Sequence, residues 1–242
     1  MLPNAQPGFL ATGPPAPSLP CPPLAHALQH VIRSAIGAAW GFVLGEISEG
    51  RCDVTGEVPI TIELERTLNY LLNEEPSIVP GFSASIFETL VRGGEVVSYN
   101  RASLEKRPDL TFRLAGHSPS GIERSHYGMF VECKLLDATH GIRAYADNGI
   151  MRFVRGEYAW AMPHAMMIGY VATGTHRAEN LPRFLSKDRA RYQVEGDPAI
   201  EDLSVSPRQI TVRSRHTRSW RYPHNNGEPG AVDILHCWLS LS

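Results

Sequence analysis

The chain has 242 residues, of which 43% are hydrophobic and 20% are charged, and its net charge at pH 7 is −2. This composition fits one globular domain with a substantial core, alone or with an appendage. The four cysteines, Cys21, Cys52, Cys133 and Cys237, form neither a CxxC pair nor a zinc-type spacing. That spacing argues against a zinc ribbon and a disulfide scaffold and favours the reducing cytoplasm.

The N-terminal third is predicted to contain a tail and two helices. Residues 1–23 are rich in Pro, Gly and Ala and predict a flexible tail, so we expect a single folded domain over residues 24–242. Leu24 to Leu44 has an apolar stripe and an opposite polar side, which predicts an amphipathic helix and no membrane span. We expect no secretory signal. After a loop over Gly45 to Gly56, a second helix is predicted from Pro59 to about Asn73.

Three strands, a helix and a fourth strand are predicted next. The strands are Ala84 to Val91, where a helix stays an alternative, Leu110 to Leu114, and Tyr127 to Leu136. Tyr145 to Ala161 has helical periodicity, and Ala165 to Ala172 is an apolar run of strand length. The order of helix, three strands, helix and strand predicts an α/β fold with a mixed central sheet flanked by helices.

A C-terminal extension follows this core. It is expected to hold a helix from Arg183 to Tyr192 and strands over Gln209 to Arg213 and Val232 to Leu239. Acidic residues outnumber basic ones before Arg143 and basic ones outnumber acidic ones after it, a weak indication of a surface that binds polyanions.

The strand from Tyr127 to Leu136 carries two charged residues among apolar neighbours. Side chains alternate along a strand, so Glu132 and Lys134 are expected on one face and Cys133 on the other. Because apolar residues occupy both faces, the strand should be buried, where charges are unfavourable unless they are used. Asp109 follows Pro108 near the start of the neighbouring strand. The alternative is that Asp109 caps a turn and that Glu132 and Lys134 form a solvated pair.

Together, Pro108, Asp109, Glu132 and Lys134 give the pattern Pro-Asp-x(n)-Glu-x-Lys, which resembles the PD-(D/E)xK nuclease superfamily. The resemblance covers about residues 57–172. It implies a restriction-endonuclease-like core and a Mg²⁺-dependent endonuclease, with Mn²⁺ as a substitute. The implied reaction is hydrolysis of phosphodiester bonds, in DNA rather than RNA, which leaves 5′-phosphate and 3′-hydroxyl ends. The implied setting is bacterial genome defence or mobile-element biology.

The resemblance also implies a role for each site residue. Asp109 and Glu132 would be metal ligands, together with the backbone carbonyl of Cys133, since Mg²⁺ prefers oxygen ligands. Lys134 would orient or activate the attacking water and stabilise the transition state. An upstream acid is common in the family. Helical phase favours Glu57, with Glu63 second, although exposed helix charges are an equal alternative.

Basic residues beyond the catalytic strand are candidates for nucleic-acid binding. Arg152, in the predicted helix after Lys134, is placed to reach a phosphate, with an ordinary surface arginine as the alternative. The segment 213–224 is basic and interleaved with aromatic residues, which suits phosphate binding and base stacking. Its candidate residues are Arg215, Arg218, Trp220 and Arg221. A basic surface loop with packed aromatics is the alternative reading.

Two other functions are compatible with the sequence. One is a catalytically silent subunit on the same fold that binds nucleic acid or serves assembly. The other is an unrelated α/β protein that uses its terminal strand for partner contacts, which a structure with Asp109 and Glu132 on opposite faces of the sheet would favour. A homodimer and a separate partner subunit both stay open, and no membrane partner is expected.

Overall fold

A computed structural model describes residues 19–100, 106–116, 118–119, 122–172, 176–201, 208–223 and 227–241. Its helices are α1 His26–Ser48, α2 Glu57–Asn73, α3 Ile142–Tyr145, α4 Met151–Val154, α5 Asn180–Lys187 and α6 Arg189–Tyr192. Its strands are β1 Leu110–Phe112, β2 Met129–Leu136, β3 His164–Val171, β4 Val194–Glu201, β5 Gln209–His216 and β6 Val232–Ser240.

The six strands form one mixed sheet in the order β1-β2-β3-β6-β5-β4. β2, β3 and β6 run parallel, whereas β1, β5 and β4 are antiparallel to their neighbours. The central strands β2 and β3 are buried along almost their whole length, which explains their continuous apolar sequence. The predicted α/β class with a mixed sheet flanked by helices is therefore confirmed.

Helices cover both faces of the sheet. On one face, Trp40 of α1 stacks on Tyr170 of β3 with ring centroids 5.6 Å apart, and Thr61 of α2 lies 3.2 Å from the same tyrosine hydroxyl. On the other face, the Tyr145 hydroxyl at the end of α3 lies 3.0 Å from His236 Nδ1 of β6. By length and composition α1 could cross a membrane, but a buried core helix meets the same criterion, and 44% of its most apolar window is buried.

The helix predicted over Tyr145 to Ala161 begins earlier and ends earlier than expected. It starts at Ile142, passes through a π-helical turn over Ala146–Ile150 and ends at Val154. Gly156 (φ 68°) and Ala159 (φ 54°) then adopt left-handed backbone conformations, which an α-helix cannot accommodate.

The strand predicted over Ala84 to Val91 is wrong. Ile86 and Phe87 donate their backbone N–H groups to the Ser83 carbonyl in a tight turn, so only an isolated bridge joins Phe87 to Leu114. Further along, the Asn69 side chain of α2 accepts from the Leu90 N–H and donates to the Leu90 carbonyl, at 2.8 and 2.9 Å. Backbone groups bound to a turn and a side-chain amide are not available to a strand ladder.

The end of α1 and the presence of β4 also differ from what the sequence predicts. The loop predicted from Gly45 begins only after Ser48, because α1 continues for one more turn. β4 was not predicted, because it contains Gly196 and Pro198, which interrupt strand patterns. It forms at the edge of the sheet with a register shift between Glu195 and Ala199, where these residues are tolerated.

Most of the predicted tail, residues 1–18, lies outside the described residues. The end of this tail is packed against the domain, since Cys21 is buried and its N–H donates to the Ala161 carbonyl at 2.7 Å.

Candidate active site

The site forms just before the first residue of β1, where β2 continues beyond its pairing with that strand. β1 pairs with β2 only through Met129, Phe130 and Val131, and the described residues supply no further strand on that side. Two carboxylates take the place of the missing strand. Asp109, which directly precedes β1, accepts the Cys133 N–H through Oδ2 at 2.7 Å. Glu57, the first residue of α2, accepts the Leu135 N–H through Oε2 at 3.3 Å.

Lys134 lies at the centre of this arrangement. Its Nζ is 2.8 Å from Glu132 Oε1, 3.1 Å from Glu57 Oε1 and 4.0 Å from Asp109 Oδ2. It also donates to the Cys133 carbonyl at 2.6 Å. Four hard oxygen atoms from three parts of the chain therefore converge on one cationic group.

The position of Glu57 follows from the start of α2. Apolar residues of this helix pack into the core, with Ile60, Leu64 and Leu68 fully buried. Gly56 is the N-cap and provides no side-chain cap. With the helix packed in this way, its first turn lies beside the end of β2, where Glu57 accepts the Leu135 N–H. An acid at the start of a helix is also favoured by the helix dipole.

Glu132 is the most buried charged group of the site, with a side chain only 1% exposed. The Tyr158 hydroxyl donates to its Oε2. Its Oε1 receives Lys134 and lies 3.2 Å from Arg152 Nη1. Burial raises the pKa of Glu132 to about 7, and the nearby charge of Asp109 adds to this, while Lys134 and Arg152 oppose it.

Lys134 stays charged in this environment. Burial alone would lower the pKa of its ammonium, but the carboxylates of Glu132, Glu57 and Asp109 outweigh burial and raise it. Burial, together with the charge of Glu132, also raises the pKa of Tyr158 well above its usual range, so its hydroxyl remains a donor.

Of the candidate catalytic residues, all but Glu63 lie close together. Asp109, Glu132, Lys134 and Glu57 are brought together, and Asp109 and Glu132 approach the same ammonium instead of lying on opposite faces. Glu63 does not join them, because its carboxylate binds Arg66 at 2.6 Å, one turn further along α2.

The candidate nucleic-acid contacts have other partners. Arg152 pairs with Glu132, but its side chain is still 38% exposed. Arg215 binds Glu195 and Asp233 at 2.9 and 2.7 Å, and the exposed Arg221 binds Glu228 at 2.9 Å.

Arg218 and Trp220 have packing roles. Arg218 is buried and donates to the carbonyls of Trp160, Met162, Pro229 and Gly230. Trp220 stacks on Tyr99, with ring centroids 4.2 Å apart, and donates Nε1 to the Val154 carbonyl at 2.9 Å. These contacts satisfy the polar groups of both side chains within the protein, and Arg218 is buried whereas Trp220 is half-buried.

Sequence reasoning missed Tyr158 altogether. It lies in the turn after α4, within a segment whose periodicity suggested a continuous helix. One physical argument could have indicated it, since a carboxylate in a strand buried on both faces requires donors from a neighbouring element.

The resemblance implies a divalent metal ion at this cluster of oxygen atoms. Among the described residues no group of three or more His, Cys, Asp or Glu side chains is arranged to hold a metal ion. The oxygens surround the Lys134 ammonium instead. When ionised, Glu57, Asp109 and Glu132 carry one more charge than Lys134 and Arg152 can neutralise. Hard oxygen donors with an unbalanced negative charge fit Mg²⁺ or Mn²⁺, which need only one or two protein carboxylates with water.

Comparison with family models, curated proteins and solved structures gave no match for this chain.

Proposed function

We propose that this chain is a Mg²⁺-dependent nuclease of the PD-(D/E)xK superfamily, with a restriction-endonuclease-like core, that hydrolyses phosphodiester bonds in DNA. One observation carries the proposal. The carboxylates of Asp109, Glu57 and Glu132 and the carbonyl of Cys133 converge on Lys134 at the open edge of β2. The element order supports it in part, because β1, β2, the α3 to α4 segment and β3 follow one another as in that core. The first of the three strands expected in that core is replaced by the turn and the isolated bridge at Phe87.

The proposed reaction is attack of water on phosphorus with cleavage of the bond to the 3′ oxygen, which leaves 5′-phosphate and 3′-hydroxyl ends. Asp109, Glu132 and the Cys133 carbonyl would hold the cation, with Glu57 as a further acid beside them. A bound Mg²⁺ would offset the charge on the phosphate and lower the pKa of its water.

Lys134 has the chemistry required at the reacting phosphate. Its ammonium is held charged by three carboxylates, so it can donate hydrogen bonds to the attacking water and to the phosphoryl oxygens as their negative charge grows. Its side chain is only 16% exposed, and its location is fixed by the contacts with Glu57, Glu132 and Cys133. A fixed donor in a site with little water is more effective than a solvated one.

A second candidate function is a nucleic-acid-binding or assembly subunit on the same fold that has lost catalysis. The observation that favours it is the engagement of Glu132, whose two oxygens together receive Tyr158, Lys134 and Arg152. A carboxylate with so many protein partners is less available to a cation.

Cleavage assays distinguish the two candidates. Purified protein is incubated with single-stranded DNA, double-stranded DNA and RNA in Mg²⁺ or Mn²⁺, and DNA binding is measured in parallel. We expect wild type to cut DNA, and Lys134→Met and Asp109→Asn each to lose about 100-fold or more in rate. Glu63→Gln is the matched control, because Glu63 is an acid of α2 outside the site. If wild type and Asp109→Asn bind DNA equally well and wild type cuts no nucleic acid, the result would support the silent subunit.

A further inference from the structure

The Tyr158 hydroxyl donates to Glu132 of the proposed site. Among the described residues, Tyr158 is the one uncharged side chain that binds a carboxylate of this site. It is fully buried in the turn between α4 and β3, and its ring packs edge-on against Phe153, with centroids 5.2 Å apart. Since solvent does not reach it, it does not contact a substrate. Its effect on the reaction would act through Glu132.

The hydroxyl of Tyr158 occupies one oxygen of Glu132, and two cations occupy the other. Lys134 and Arg152 both contact Oε1, whereas Oε2 receives the Tyr158 hydroxyl. Contacts on both oxygens restrain the orientation of the carboxylate, and the Tyr158 hydroxyl also interacts with Arg152. Without the hydroxyl, the carboxylate could rotate toward Lys134 and Arg152, away from its present orientation.

The turn that carries Tyr158 is supported by the basic and aromatic segment near the C-terminus. Gly156 adopts φ 68°, and a Cβ at this residue would lie 2.7 Å from the Trp220 ring, so the two are in close contact. The Trp220 Nε1 donates to the Val154 carbonyl at 2.9 Å, just before the turn. Tyr222 and Arg218 donate to the Trp160 carbonyl, just after it, at 2.9 and 3.2 Å. Residues on both sides of Tyr158 are therefore held by one segment.

We propose that Tyr158 is a positioning residue that fixes the orientation of Glu132, and that the segment 218–222 holds the turn in place for this purpose. The proposal rests on the proposed nuclease function for its catalytic consequence. It also gives the basic and aromatic residues of that segment a role within the protein, where the sequence had suggested contact with nucleic acid.

Tyr158→Phe tests the proposal because it removes the hydroxyl and keeps the ring packed on Phe153. The matched control is Tyr192→Phe. Tyr192 is also buried, and its hydroxyl donates to Asp147 Oδ1 at 3.1 Å, while Arg191 binds the other oxygen of that carboxylate at 2.8 Å. Each variant loses a hydrogen bond from a tyrosine hydroxyl to a carboxylate, and in each case an arginine also binds that carboxylate. Only the carboxylate of Glu132 belongs to the proposed site.

The two variants are compared by thermal unfolding, by Mn²⁺ binding in isothermal calorimetry and by DNA cleavage, all below both unfolding midpoints. We expect similar losses of stability. Tyr158→Phe alone should weaken Mn²⁺ binding and lower kcat, each by about tenfold, with KM for DNA unchanged. Wild-type Mn²⁺ affinity in Tyr158→Phe, or an equal loss in Tyr192→Phe, overturns the proposal. If wild type cuts no nucleic acid, the proposed function fails, and the Mn²⁺ affinities alone decide the role of Tyr158. If wild type binds no Mn²⁺, the proposed role of Tyr158 is overturned too.

Discussion

Glu132→Gln is expected to stabilise the protein at neutral and alkaline pH in the absence of divalent cations. The side chain is 1% exposed, and burial followed by the charge of Asp109 raises the pKa of its carboxyl from 4.5 to about 7. The folded protein therefore binds a proton at this site more tightly than the unfolded chain does. Below pH 4.5 both states are protonated and the group has no effect on stability.

The free energy of unfolding should fall as pH rises from 4.5 to 7, because across this range the folded state must release a proton that the unfolded state has already lost. One pKa unit corresponds to about 1.4 kcal/mol, so a shift from 4.5 to about 7 amounts to about 3 kcal/mol above pH 7. Glutamine keeps the shape but carries no charge. Its amide oxygen can accept from Lys134 and Arg152, and its NH2 group can donate to the Tyr158 hydroxyl, so it should remove most of this destabilisation.

The assay is urea unfolding of wild type and Glu132→Gln with EDTA, at several pH values from 4.5 to 8.5. The difference between the two free energies isolates Glu132 from other titrating groups. We expect the difference to grow by about 3 kcal/mol in favour of the variant between the two ends of the range. A difference that does not change with pH, or a variant less stable than wild type at pH 8, would refute the reasoning that burial destabilises the ionised carboxylate of Glu132.

Two further experiments test the contact between Gly156 and Trp220 and the protonation of the buried histidines. Gly156→Ala should destabilise the protein by about 1–3 kcal/mol more than Gly116→Ala, because both glycines have φ near 70° but only the Cβ at 156 meets the Trp220 ring. Equal losses in urea unfolding would contradict this. Burial lowers the pKa of His164 and His216 to about 4 and that of His236 well below its usual range, so their neutral forms contribute stability above about pH 6.5 that is lost as pH falls toward 4. In the Glu132→Gln background the free energy of unfolding should therefore fall over this range, and a flat profile would contradict the neutral histidines.

The sequence was sufficient for the central strands and for the cluster of charges. β2 alternates so that Glu132 and Lys134 share one face, and its apolar neighbours required burial, which the structure confirms. Glu57 was favoured by helical phase, and it contacts Lys134 because α2 begins beside the end of β2. These features depend on local periodicity, which a single sequence contains.

Features that depend on distant partners could not be predicted. Ala84 to Val91 has a strand-like sequence, but the Asn69 amide, 21 residues from Leu90, binds its backbone. Arg218 resembles a surface arginine until the carbonyls around it are known. The bond from Tyr158 to Glu132 likewise joins residues whose proximity only the fold establishes.

The most direct test of the central claim is a titration of Mn²⁺ into wild type and Asp109→Asn, followed by electron paramagnetic resonance of the free ion. The claim is that the acids around Lys134 form a site for a divalent cation. We predict one Mn²⁺ site in wild type and an affinity at least tenfold weaker in Asp109→Asn, with Glu63→Gln unchanged. Wild type that binds no Mn²⁺ at millimolar concentrations, or binds it as well without the Asp109 carboxylate, would contradict the claim.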